Sequence, residues 1–66
     1  MGRFRETEVA GLAHSAVIDH GEDAPSFAHR RAAEYLRKLD FDSAHHWCVV
    51  SRRASLILSR MSQARH

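Results

Sequence analysis

Cysteine and proline occur once each in this 66-residue chain, and glycine occurs three times. The single cysteine, Cys48, excludes an internal disulfide and a zinc site built from several cysteines. No apolar run reaches the ~18 residues that a membrane span requires, and no apolar segment follows the N-terminal arginines as it would in a signal peptide. No segment alternates apolar and polar residues as a strand would. We therefore expect a strand-free, cytoplasmic protein of bacterial type.

The hydrophobic fraction, 44%, is that of a folded globular chain rather than a disordered tail. The length predicts a single domain over 1–66, with residues 1–5 flexible and 63–66 frayed. Ordering such a chain costs about 100 kcal/mol at ~1.5 kcal/mol per residue. Burying the roughly 4,000 Å² of apolar surface available to it offsets a similar amount at ~25 cal/mol per Å². Because the balance is near zero, self-association is a reasonable source of additional stability.

Apolar residues recur at helical spacing in three segments, 6–20, 24–39 and 41–62. The links between these segments are short, which favours antiparallel neighbours. The fold class predicted is all-α, either a small three-helix bundle or a helical hairpin with a third helix packed against it. The predicted core stripes are Val9, Leu12, Ala13, Ala16, Val17 and His20 in the first segment, Ala28, Ala32, Tyr35, Leu36 and Leu39 in the second, and Trp47, Val50, Ala54, Ile57 and Met61 in the third.

The first link lies in the stretch "VIDHGEDAPSF" and combines several turn signals. Gly21 suits the position after a helix C-terminus, where φ is positive, and His20 suits the preceding carbonyl end. Asp23 is a candidate N-cap of the second helix, and Pro25 fits its first turn. At the second link, Asp40 is a candidate N-cap of the third helix. These residues are predicted to be structural, although His20 and Asp23 could have a functional role as well.

The same turn resembles a family of short alphaproteobacterial helical proteins of unknown function. The resemblance covers about residues 9–60 and implies the same helical architecture, without an activity or a cofactor. One difference is that the family tends to have glycine where this chain has Leu39. The matching residues are His20, Gly21, Asp23, Ala24, Arg31, Ala32, Leu36, Asp40 and Trp47.

Histidine and Cys48 are the residues most able to support chemistry. No two histidines are spaced i, i+4, as a metal pair on one helix would be, so we expect no metal and no cofactor. Cys48 could pair with His45 as a nucleophile, but a buried cysteine acting as a small apolar residue is more common. A chain of this size also has little room for a substrate cleft of ~300 Å³. We therefore expect a protein that is not an enzyme. The histidines are His14, His20, His29, His45, His46 and His66.

Charge is distributed unevenly along the chain. Residues 1–24 contain two arginines and five acidic residues, a net charge of −3, whereas residues 25–66 contain eight basic and three acidic residues, a net charge of +5. The basic residues of the second and third helices could contact nucleic acid. The alternative is a solvated basic face. The candidate nucleic-acid contacts are Arg30, Arg31, Arg37, Lys38, Arg52, Arg53 and Arg60.

Some apolar residues lie away from the predicted core stripes. Val49 and Leu56 are seven residues apart and share a face that points away from the third stripe, and Ile18 is off the first stripe. With Arg52 and Arg53 they form a candidate interface, unless they are ordinary surface residues or the third helix is buried on two sides. We therefore predict a non-enzymatic helical protein–protein interaction module, self-associating and most simply a homodimer. The alternative is a small nucleic-acid-binding regulator.

Overall fold

The computed structural model describes residues 6–64, which form three α-helices and no strand. Helix α1 spans Glu6–His20, α2 spans Ala24–Arg37 and α3 spans Phe41–Ala64. The prediction of an all-α fold with these three segments is confirmed, although α2 ends two residues earlier and α3 two residues later than predicted. The expected flexibility of residues 1–5 and the last part of the expected fraying, residues 65–66, lie outside the described residues.

Helices α2 and α3 form an antiparallel hairpin, and α1 packs against it. The hydroxyl of Ser51 donates a hydrogen bond to the carbonyl of Pro25 at 3.1 Å, so the start of α2 lies beside the middle of α3. The molecule measures 42 × 24 × 15 Å. None of the described helices has a stretch long and apolar enough to cross a bilayer.

Helices α1 and α2 are joined by a single turn of 3₁₀-helix, Gly21–Asp23, with no loop between them. Gly21 has a φ of 60°, as predicted, and Pro25 lies in the first turn of α2. The predicted side-chain cap from Asp23 is wrong, because this residue makes no capping hydrogen bond. The reason is that Asp23 has near-helical dihedrals, with a φ of −84° and a ψ of 0°, rather than the β-region dihedrals of a capping residue. His20 stacks on Phe27, with ring centroids 4.1 Å apart.

The turn between α2 and α3 is a Schellman motif. The N–H of Leu39 donates to the carbonyl of Leu36 at 3.0 Å, and the N–H of Asp40 donates to the carbonyl of Tyr35 at 2.9 Å. Asp40 then caps α3 as predicted, since its carboxylate accepts a hydrogen bond from the N–H of Ser43 at 3.2 Å. Leu39 occupies the left-handed position, with a φ of 62°. The motif therefore forms with leucine where glycine would be less strained.

Replacing Leu39 by glycine is expected to raise the free energy of unfolding by about 0.5–1 kcal/mol, since it relieves a left-handed conformation that costs a side chain ~1–2 kcal/mol. The reverse change at the other left-handed residue, Gly21→Ala, is expected to lower it by about 1 kcal/mol, although an added Cβ meets nothing within 4 Å. Urea titrations followed by circular dichroism measure both changes. A destabilising Leu39→Gly would show that the exposed leucine side chain stabilises the fold by more than its backbone strain costs.

Alanine dominates the core between the three helices. Four alanines and Val50 are completely inaccessible to solvent, and larger side chains surround them as a half-buried border. Small side chains at a helix contact allow a short interaxial distance. The fully buried alanines are Ala13, Ala24, Ala28 and Ala54.

Four residues of the predicted core stripes are exposed instead, three of them apolar. Leu36 is 53% exposed, Leu39 is 72% exposed and Met61 is 44% exposed. Leu39 lies in the turn because α2 ends at Arg37. Leu36 lies at the turn end of the hairpin. Its side chain lines the groove between α2 and α3, and no described helix covers it. His20, predicted on the first stripe, is also exposed.

Candidate interaction surfaces

The α2–α3 hairpin has an apolar groove along one side, which we call the hairpin groove. Four residues from each helix line it, and within each helix they follow the i, i+3, i+4, i+7 spacing of a single face. It has a volume of about 320 Å³. The lining residues are His29, Ala32, Ala33 and Leu36 from α2, and Phe41, Ala44, His45 and Cys48 from α3.

The hairpin groove has a small-residue floor and a bulky end. Ala32 and Ala44 are buried at its base, where α2 and α3 meet. Leu36 and Phe41, beside the turn, project from it and are 53% and 62% exposed. Leu39 in the turn itself adds a third exposed apolar side chain. The result is a continuous apolar surface that no described part of the chain covers.

The opposite side of α2 carries a cluster of stacked rings. The rings of Phe27 and Trp47 meet edge to face at 5.9 Å. The guanidinium of Arg31 lies 5.6 Å from the centre of the Trp47 ring and 5.9 Å from that of Tyr35. Arg31 also pairs with Glu34 at 3.0 Å. Because residues two apart on a helix point about 200° apart, Arg31 and Ala33 face opposite sides of α2. One side of the hairpin is thus covered by α1 and this aromatic cluster, whereas no described part of the chain covers the other.

The predicted nucleic-acid residues are divided among several faces. Within each doublet the two side chains point about 100° apart. Arg31 and Lys38 lie against aromatic rings on the Trp47 side, Lys38 at 5.7 Å from the ring of Tyr35. Arg30 instead lines a second groove of about 380 Å³ with Pro25 and Ser51. The remaining members are Arg37, Arg52 and Arg60, which are exposed, and Arg53, which is half-buried.

The predicted interface residues are only partly brought together. Ile18 is 81% exposed and Leu56 is 52% exposed, as their positions on the helices predict. Val49 is half-buried and packs against the core, which matches the alternative that the third helix is buried on two sides. Arg52 is exposed, whereas Arg53 is half-buried. Val49, Arg52, Arg53 and Leu56 follow the i, i+3, i+4, i+7 spacing of one face of α3, whereas Ile18 lies on α1.

A third groove, of about 530 Å³, lies between the end of α1 and the C-terminal half of α3. The expectation that so small a chain has no cleft of ~300 Å³ is therefore wrong. This groove contains one carboxylate, from Glu22, and no histidine or cysteine. Its lining residues are Val17, Gly21, Glu22, Pro25, Ser55, Leu58, Ser59, Met61 and Ser62.

The histidines are dispersed through the structure. His14 places its Nδ1 2.9 Å from the carbonyl oxygen of Ala10, and His20 stacks on Phe27. Within residues 6–64, His, Cys, Asp and Glu side chains form no group of three or more that could hold a metal ion. Cys48 is exposed, which overturns the expectation that it is a buried apolar residue.

Sequence reasoning did not identify the hairpin groove, although its signal was present. Phe41, Ala44, His45 and Cys48 form a second helical stripe beside the core stripe of α3, with little charge along it. The search for off-core residues considered Val49 and Leu56 instead. Comparisons of the chain with protein-family models, curated proteins and solved structures yield no match.

Proposed function

We propose that this protein is a non-enzymatic helical interaction module that associates with itself, most simply as a homodimer. The observation that carries the proposal is the uncovered apolar surface of the hairpin groove and turn. Leu36, Leu39 and Phe41 are all more than half exposed and adjoin an alanine floor. A continuous apolar patch bordered by polar residues is typical of a protein contact surface.

The shape of the chain supports the same proposal. Its radius of gyration is 12.1 Å, against about 10.8 Å for a compact domain of this length. The core consists mainly of alanine and valine, so each residue contributes little apolar burial. A second copy would add burial that a single chain of this size does not reach by itself.

The nucleic-acid alternative receives less support. A phosphate-binding surface requires several cations on one face. Here Arg31 is paired with Glu34 and stacked on Trp47, and Lys38 lies over the ring of Tyr35, whereas Arg30 lines the second groove. The division of the basic side chains among faces therefore favours the protein-interaction proposal.

We also propose a cytoplasmic location, supported by an exposed thiol at Cys48, which persists most readily in a reducing compartment. The resemblance to the alphaproteobacterial family remains a prediction as well. The turns that contain the matching residues are formed in the structure. They include the turn in which Leu39 stands where the family usually has glycine.

Sedimentation equilibrium and thermal melting over a wide range of protein concentration test the proposed function. We expect a dimer mass at high micromolar concentration and a melting temperature that rises with concentration. The association should persist at 0.5 M salt, since apolar contacts are not screened, whereas binding to a nucleic acid through several phosphates would fall steeply. A monomer at every concentration, with a constant melting temperature, would contradict the proposal.

A further inference from the structure

We infer that the self-association surface is the hairpin groove and that its occupant is the same groove of a second copy, with α2 of each copy lying on α3 of the other. This inference rests on the proposed function and specifies the surface that performs it. In the resulting dimer, two hairpins face each other and form a four-helix arrangement. The twofold axis that relates the two copies is parallel to the hairpins.

The hairpin groove complements itself in this arrangement. Its α2 and α3 stripes have the same length, and they run in opposite directions along the hairpin. When α2 lies on α3 of the second copy, Leu36 comes opposite Phe41 of that copy, and the axis repeats this contact. Four large apolar side chains that are more than half exposed in the single chain are then buried together. Ala33 comes near the centre of the contact.

Charge selects this axis over the other possible one. Arg30 and Arg37 are exposed and lie along the outer edge of α2, while Asp42 is exposed on the corresponding edge of α3. Placing α2 on α3 of a second copy brings Arg37 beside Asp42 of that copy. A perpendicular axis would instead place α2 on α2 and bring four arginines to one edge, and like charges juxtaposed across an interface are costly.

The solvent-accessible area of the chain also agrees with the area that a dimer interface would bury. The chain exposes 4992 Å², whereas a folded monomer of 7.5 kDa is expected to expose about 4,200 Å². The excess, about 800 Å², equals the ~800 Å² that each partner buries in a standard interface.

The surface around Leu56 is a poorer candidate. Its neighbours one turn away along α3 are Arg52 and Arg60, both exposed. Packing this face against its own copy would bring these arginines together around one leucine. The hairpin groove, by contrast, has no lysine or arginine among its lining residues.

Matched charge insertions test the inference. Ala33→Glu places a carboxylate at the centre of the proposed contact, and Leu56→Glu places one farther along α3, beyond the residues that line the groove. We expect Ala33→Glu to raise the dimer dissociation constant about 100-fold or more, because a larger, charged side chain would have to enter a packed apolar contact and lose its hydration. Leu56→Glu should change it by less than about threefold. Circular dichroism at low concentration shows whether each variant retains its helices.

A charge exchange tests the orientation. Arg37→Glu alone should raise the dissociation constant about tenfold, and adding Asp42→Arg in the same chain should restore most of the affinity. If the exchange does not restore binding, the arrangement of α2 on α3 is overturned.

The unmodified protein offers an independent measurement through Cys48, which lines the groove and is exposed. Its rate of reaction with a maleimide should fall as concentration rises through the dimer dissociation constant. The inference would be overturned if dimerisation left this rate unchanged. It would also be overturned if Leu56→Glu abolished dimerisation and Ala33→Glu did not. In both cases the proposed function would still stand. A wild-type chain that never dimerises would instead overturn the proposed function.

Discussion

Replacing Ala54 by leucine is expected to lower the free energy of unfolding by about 2–3 kcal/mol. Ala54 is completely inaccessible to solvent and belongs to the small-residue core between the helices. Three additional carbon atoms cannot be accommodated there unless α3 moves away from the helices packed against it. A chain of this length has only a few kcal/mol of net stability, so the change should leave a large unfolded fraction at room temperature.

Ala64→Leu is the control for this prediction, since it makes the same chemical change at an exposed residue at the end of α3. It should alter stability by less than about 0.5 kcal/mol. Urea unfolding followed by circular dichroism measures both variants. Equal stability of Ala54→Leu and the wild type would mean that the helices are not held at the separation which the alanine core implies.

The helices could be predicted because their signals are local. Apolar spacing placed all three, and the left-handed Gly21 and the cap at Asp40 followed from the chemistry of single residues. The cap predicted at Asp23 failed because the chain passes from a 3₁₀ turn directly into α2, so Asp23 has near-helical rather than β-region dihedrals. Whether a helix follows directly on a 3₁₀ turn depends on the path of the backbone, and the local sequence does not indicate it.

The candidate site was harder to predict, because periodicity identifies faces but not what covers them. Leu36 was placed in the core and is exposed, while Val49 was placed outside and packs against the core. Val49 packs against the core because α3 presents apolar residues on more than one side, and Leu36 is exposed because it lies at the end of α2, beside the turn. Only the position of α1, which is set by the bend at Gly21, determines which side is covered. The aromatic cluster joins residues from α1, α2 and α3, so it depends on the same placement.

Replacing Trp47 by alanine is expected to lower the free energy of unfolding by about 2–3 kcal/mol. Trp47 packs against the core, meets Phe27 edge to face at 5.9 Å and lies under the guanidinium of Arg31. Losses of ~3–5 kcal/mol are typical of fully buried tryptophans, and Trp47 is half-buried, so a smaller loss applies. Thermal and urea unfolding should be followed by circular dichroism, because the variant lacks the chain's one tryptophan.

Arg31→Ala separates the contribution of the stacked guanidinium from that of the indole ring. It removes a cation–π contact of about 0.5–1 kcal/mol and an ion pair with Glu34 worth a few tenths. The pair is 42% and 49% exposed at its two side chains, so solvent screens it. In a double-mutant cycle, the loss of unfolding free energy in the double variant Arg31→Ala, Trp47→Ala should be about 0.5 kcal/mol smaller than the sum of the two single losses. Strict additivity would show that Arg31 does not stabilise the fold through Trp47, and a Trp47→Ala loss below about 1 kcal/mol would place the indole outside the packed structure.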